Sequence, residues 1–257
     1  MLEGKVVVVS GTGPGLGREV AAVALREGAS VMLGARRRHR LETIAAELDP
    51  SGERVAFQDT DITNADQCRR LVDGAVARFG TVDALVNCAA IDSLLGGLEG
   101  ADLNTWRATF ETNIFGTMQM CQAAIAPMKA AGGSIVLIGS QASYWPQFMQ
   151  TAYAATKGGL TSAMYYLAKE LGPYRIRVNT VVPSWMWGPS VEGYVAMMAS
   201  AQERPEADVV AGITRSMPLG EIPSDGDVAE AVAFFASDRA RLITGQALMV
   251  NAGEFPH

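Results

Sequence analysis

Two tyrosine-lysine pairs at helical spacing, Tyr153 with Lys157 and Tyr165 with Lys169, are the groups of this chain best suited to moving a proton. Residues four apart share one helix face. An ammonium beside a phenol favours the phenolate, which would bring the tyrosine down from about 10 toward neutrality and make it a usable acid-base group. Six tyrosines and four lysines in 257 residues would produce about 0.09 such pairs by accident, and the sequence holds two. Position separates them. A helix expected to start near Ala152 puts Tyr153 beside a strand end, whereas Tyr165 lies roughly 18 Å further along the axis and reads as an ordinary helix-surface or interface residue. Histidine offers little: His39 lies in a run of arginines and His257 is the last residue, so neither a Ser-His-Asp triad nor any metal site is expected.

A second group of residues suits an anion. Gly11, Thr12, Gly13, Gly15, Leu16 and Gly17 follow a strand-like run and precede a helical one. Such a turn lets backbone amides approach a pyrophosphate at a helix N-terminus, where the dipole favours negative charge. The spacing is Gly11-x3-Gly15-x-Gly17 and not G-x-G-x-x-G, so a glycine-rich turn without a ligand stays open as the alternative. About twenty residues further on, nucleotide-binding sheets place an acid for a ribose 2′-hydroxyl or an arginine for a 2′-phosphate. Here the stretch is Ala35-Arg36-Arg37-Arg38-His39-Arg40, with no acidic residue between Glu27 and Glu42. Arg36, directly after a strand, is the best phosphate candidate, with Arg37 beside it, and a solvated basic helix start accounts for some of the rest. NADP(H) is therefore expected over NAD(H).

These groups need elements to position them. Strand-like runs at 5–10, 30–33, 54–58, 84–87, 134–138, 177–182 and 247–251 alternate with helical spacing at 15–27, 38–48, 65–79, 103–131, 152–172 and 227–237. The alternation predicts an α/β fold of the Rossmann type, doubly wound, with a seven-stranded parallel sheet and helices on both faces. Its ligands would bind at the carboxyl ends of the strands. One domain over 1–257 is expected, with the stretch at about 184–223, rich in Trp, Met, Pro and Gly, as an irregular substrate lid.

Composition narrows the partners. Hydrophobic residues make up 49% and charged residues 19%, a balance that supports a packed core. The net charge of −6 disfavours nucleic acid. No apolar run reaches the ~18 residues of a membrane span. Three cysteines without a CxxC spacing fit a reducing, cytoplasmic setting, and Cys88 reads as a small buried residue before it reads as a redox group.

Taken together, the glycine turn, Asp61-Ile62-Thr63, Leu85-Val86-Asn87-Cys88-Ala89-Ala90, Asn113, Ser140, and Tyr153 with Lys157 resemble the classical short-chain dehydrogenases/reductases. The resemblance spans essentially the whole chain, through Val178-Asn179-Thr180-Val181-Val182-Pro183 to Ile243-Thr244-Gly245-Gln246. It implies a nicotinamide cofactor across the strand ends, with Asp61 and Ile62 near the adenine and Asn87 toward the nicotinamide. Ala89, Pro183, Tyr153 and Lys157 are further implied contacts. It also implies a catalytic set of Asn113, Ser140, Tyr153 and Lys157 acting on a small-molecule alcohol or ketone, and a homo-oligomer, often a tetramer. Asn113 would support a water linking Lys157 to solvent. Three positions depart from the family pattern: Asn87-Cys88-Ala89-Ala90 for Asn-Asn-Ala-Gly, Ser184 for the glycine after Pro183, and Gly188 for an expected threonine. All bear on the nicotinamide contacts.

Ser143, Trp145, Gln147, Phe148 and Gln150, with Trp185 and Trp187 opposite, are expected to border an apolar, aromatic pocket for a medium or bulky substrate. A 3-oxoacyl thioester is one candidate. A non-catalytic dinucleotide-binding sensor or scaffold is the rival reading, and an epimerase or dehydratase of the same superfamily ranks lower because the chain lacks an extra C-terminal substrate domain.

Overall fold

The computed structural model describes residues 1–92, 97–146 and 149–255. Among them, seven strands form one all-parallel sheet: β1 (Val6–Ser10), β2 (Ser30–Ala35), β3 (Val55–Asp59), β4 (Ala84–Asn87), β5 (Gly133–Ile138), β6 (Ile176–Pro183) and β7 (Ala247–Val250), in the order β3-β2-β1-β4-β5-β6-β7. The order reverses direction between β1 and β4, which opens a crevice at their carboxyl ends.

Because side chains alternate along a strand, Val7 and Val9 of β1 face one helical layer, and Val6 and Val8 face the other. The first layer holds α1 (Leu16–Arg26), α2 (Arg38–Leu48) and α9 (Asp225–Ala236). The second holds α3 (Ala65–Phe79), α5 (Thr117–Met128) and α6 (Thr151–Leu171). Each fully buried Val, Leu or Ile contributes about 1.5–3 kcal/mol, whereas an exposed ion pair such as Arg26–Glu230 contributes about 0–1 kcal/mol. The two apolar layers therefore hold the sheet.

Two expectations need correction. The single helix expected over 103–131 is α4 (Leu103–Phe110), a π-helical stretch at Glu111–Gly116, and α5. Apolar spacing persists through a π turn, so periodicity does not reveal the break. The supposedly irregular stretch after β6 contains α7 (Pro189–Ala201) and α8 (Glu206–Thr214). Pro189 occupies the first turn of α7, where its missing N–H costs nothing.

Candidate active site

Strand register brings the site together. Ser10 lies opposite Asn87, and Asn87 opposite Leu137, so the segments after β1, β4 and β5 emerge side by side. The amides of Cys88 and Ala89 both donate to Ser10 O, at 2.8 and 3.0 Å. Gly11 has φ +91°, and a Cβ there would lie 2.2 Å from Ala89 N; one on Gly17 would lie 2.4 Å from Gly11 O. No side chain fits at either position. Thr12 Oγ1 donates to Val9 O at 3.1 Å and braces the turn.

Two joined cavities occupy the crevice. One of about 470 Å3 runs from Gly11, Thr12 and Gly13 to Arg36, Arg37, Asp61 and Ile62. The other, of about 950 Å3, is lined by Gly15, Leu16, Gly17, Ser140, Tyr153 and Lys157. They meet at Gly11, Gly13, Cys88 and Ala90, and Ala89 borders the first. Ser140 directly follows the end of β5 by one glycine, and its Oγ accepts from Ala142 N at 3.2 Å. Tyr153 sits in the first turn of α6. Lys157, one turn on, donates from Nζ to Ile138 O at 2.7 Å and lies 5.5 Å from the centre of the Tyr153 ring. Tyr165 is 52% exposed on the same helix, far from either cavity lining.

Asn113, Asn87 and Pro183 stand behind the cavity walls, all buried. Asn113 lies within the π turn. Its Nδ2 donates to Ile91 O and Thr156 Oγ1, each at 3.0 Å, and its Oδ1 accepts from Ile91 N at 2.8 Å. Its side chain thus clamps the loop after β4 to α6, and both of its N–H donors are used within the protein.

A family profile described as enoyl-(acyl carrier protein) reductase matches residues 11–254. The trans-4-hydroxycyclohexanecarboxylate dehydrogenase of Sinomonas cyclohexanicum is 35% identical over 97% of this chain and 92% of its own length. The chain belongs to the classical short-chain dehydrogenases/reductases. The 3-oxoacyl-(acyl-carrier-protein) reductase of Thermotoga maritima is another relative, 31% identical over 98% of both chains. A solved variant of actinorhodin polyketide ketoreductase with NADPH superposes with a TM-score of 0.90, at 27% identity over the full length of both chains. As a member of this family the chain is a nicotinamide-cofactor oxidoreductase acting on alcohol or ketone groups, which sets aside the sensor and scaffold reading.

The residues of this short-chain dehydrogenase/reductase fit such a cofactor. A Cβ on Gly13 would meet nothing within 4 Å, so the turn leaves open space for a ligand's phosphates against the start of α1. Ser184 Oγ and Asn87 Oδ1 are buried without a hydrogen-bond partner among the described residues, and Ser184 borders the larger cavity. At the other end, Arg36 and Arg37 are exposed at the cavity with Arg40 beside them. Arg38 is committed elsewhere, paired with Glu42 at 3.0 Å and Asp59 at 3.3 Å. Arg40, in the first turn of α2, joins Arg36 and Arg37 at the cavity, and no spacing rule from Arg36, which lies before the helix, points to it.

The electrostatics of the proton-transfer pair correct the reading from spacing. Burial pushes the Tyr153 phenol up to about 12, with the Ser140 hydroxyl pulling the other way and Asp92 adding to the rise. Burial also brings Lys157 down to about 8, opposed by Cys88 and Asp92. Spacing places two side chains together but does not say how little water reaches them, and here desolvation is the largest influence on both. Burial thus favours the protonated phenol. Burial pushes the Cys88 thiol up to about 12, which keeps it protonated, but the residue is half-buried at the junction of the two cavities and not the core residue expected.

Of the expected pocket residues, Ser143, Trp145, Gln150 and Trp185 line the larger cavity. Trp145 stacks on Phe255 at 5.7 Å, and Trp185 packs against Tyr194 at 5.2 Å. Trp187 does not line it; its backbone bridges to Ser224. Gln147 and Phe148 lie outside the described residues. Two carboxyl groups that sequence reasoning missed, Asp92 and Asp225, do border this cavity.

Proposed function

We propose that the protein is an NADP(H)-dependent oxidoreductase that interconverts a secondary alcohol and a ketone on an apolar, medium or bulky substrate. The gathering of Ser140, Tyr153 and Lys157 on one wall of the aromatic cavity, next to the glycine turn, carries this reading. A bound nicotinamide would supply or accept the hydride. Ser140 donates a hydrogen bond to the substrate oxygen, and Tyr153, whose protonated form burial favours, gives its phenolic proton to that oxygen in the reducing direction. Lys157 holds the nicotinamide ribose and offers the compensating charge when Tyr153 is the base. Asn113 acts as a positioning residue through Ile91 and Thr156. A 3-oxoacyl thioester is the alternative substrate, supported by the similarity to the Thermotoga reductase.

The NADP(H) preference rests on Ala35 standing where an acid would repel a 2′-phosphate, and on Arg36, Arg37 and Arg40 bordering the smaller cavity. The NADPH in the ketoreductase neighbour supports it. A well-formed Arg-phosphate contact contributes roughly 1.5–3 kcal/mol, about ten- to a hundredfold in affinity. Dissociation constants for both cofactors, with and without Arg36→Ala, test this, alongside turnover on a panel of cyclic ketones, their alcohols and 3-oxoacyl thioesters. Equal or tighter NAD(H) binding by the unmodified protein would overturn the preference.

A further inference from the structure

The larger cavity holds a carboxyl group that the proposed chemistry does not use. Asp225 is the first residue of α9, whose start is fixed by a capping box between Ser224 and Asp227. Its backbone N–H donates to Trp187 O at 3.3 Å, tying it to the segment after β6. The residue is 8% exposed, its carboxyl has no hydrogen-bond or ion-pair partner among the described residues, and it borders the cavity. A Cβ on Gly188 would lie 2.2 Å from Asp225 Oδ2, and one on Gly15 would lie 3.1 Å away. The carboxyl thus fills the room that a side chain at position 188 would take, facing the glycine turn. Ser184, with its unpartnered Oγ, borders the same cavity.

A carboxylate accepts hydrogen bonds and, when ionised, donates none. Within a nicotinamide dinucleotide, the pyrophosphate offers only acceptors and negative charge. The nicotinamide end offers amide N–H and ribose O–H donors and, when oxidised, a positively charged ring. Asp225 shares its cavity with the glycine turn and with Tyr153 and Lys157, and not with Arg36; of the cofactor parts that this cavity would take, only the nicotinamide half offers a carboxylate donors in place of like charge. We infer that Asp225 is a cofactor-binding residue that accepts a hydrogen bond from the nicotinamide half, in the room left by Gly188, and favours the oxidised over the reduced cofactor by its charge. The inference rests on the nicotinamide-cofactor reading of the crevice.

Ionisation of Asp225 falls in an accessible range. Burial pushes it up to about 6, with Glu19 of α1 and Glu192 of α7 adding to the rise. Of the other titratable groups on this cavity, Lys157 sits at about 8, Tyr153 and Cys88 at about 12, Asp92 is exposed at its rim, and Tyr194 of α7 packs on Trp185. Between pH 5 and 7.5, Asp225 gains its charge.

The test is calorimetric binding of NADP+ and NADPH, and of NAD+ and NADH, to the full chain over that pH range. The ratio of reduced to oxidised dissociation constants cancels the titration of the cofactor's own phosphates, which both forms share. It should rise about tenfold from pH 5 to 7.5, the order expected for one charge several ångströms from the ring. In the isosteric Asp225→Asn variant the tenfold rise should disappear, leaving only the small change that Lys157 brings as it begins to lose its proton toward pH 8. A pH-independent ratio in the unmodified protein overturns the inference, even if the variant fails to fold. So does tighter binding of both forms by the variant, which would mean that Asp225 opposes the pyrophosphate. If neither dinucleotide bound at all, the cofactor reading would fall with it.

Discussion

Tyr153 and Tyr165 have the same neighbour four residues on and opposite surroundings: one lines the larger cavity, the other is 52% exposed. Only the first can hand a proton to something bound beside Ser140. We expect Tyr153→Phe to lower turnover by about 10²–10⁴-fold while leaving the cofactor dissociation constant nearly unchanged, because only the transferable proton is removed. Lys157→Ala should weaken both turnover and cofactor binding. Steady-state kinetics and cofactor titration of these variants and of Tyr165→Phe would check this. A near-normal rate for Tyr153→Phe with loss in Tyr165→Phe would reassign the pair. Residue types and spacing favour Tyr153 over Tyr165, the choice those variants test. They could not set the protonation state, which depends on the burial that the strands and α6 impose.

Three elements escape the sequence pattern. The π stretch at Glu111–Gly116 lies midway in what periodicity renders as one helix, and it is the place where Asn113 reaches both the loop after β4 and Thr156 of α6. Helices α7 and α8 were hidden by proline, glycine and serine. They share a small apolar cluster of Val195, Ala199 and Val209, separate from the two main layers. Elements with little shared core open more readily. The amides of 189–214 should therefore exchange quickly in the free protein and gain protection when cofactor and substrate are bound, as a substrate lid requires. Hydrogen exchange measured with and without ligands decides between a lid and a fixed packing element, which would be strongly protected in both states.

At the scale of the whole molecule, Asp225 links the site to stability. Its folded pKa, about 6, lies above the ordinary 3.8, so the stability it contributes is complete below about pH 3.8 and is lost as pH rises through about 6. Without cofactor, Asp225→Asn should stabilise the protein by on the order of 1–3 kcal/mol at pH 7.5. The advantage should shrink toward pH 4. Urea unfolding at both pH values would show it, and no gain at pH 7.5 would mean that the carboxyl is well solvated. The sequence by itself determined the doubly wound parallel sheet, the glycine turn, the order of Ser140, Tyr153 and Lys157, and the arginines after β2. The sheet, the glycine turn, the Tyr153–Lys157 pair and the arginines follow from local periodicity and short-range spacing, which the chain carries along its length, and the place of Ser140 from the resemblance to the family. Only the tertiary structure decided that burial favours the protonated form of Tyr153, that Asn113 serves as a clamp, and that Asp225 fills the gap at Gly188. Asp225 and Gly188 are 37 positions apart, and no local rule pairs them. Strand order, and the bridge from Trp187 to Ser224, bring them within contact.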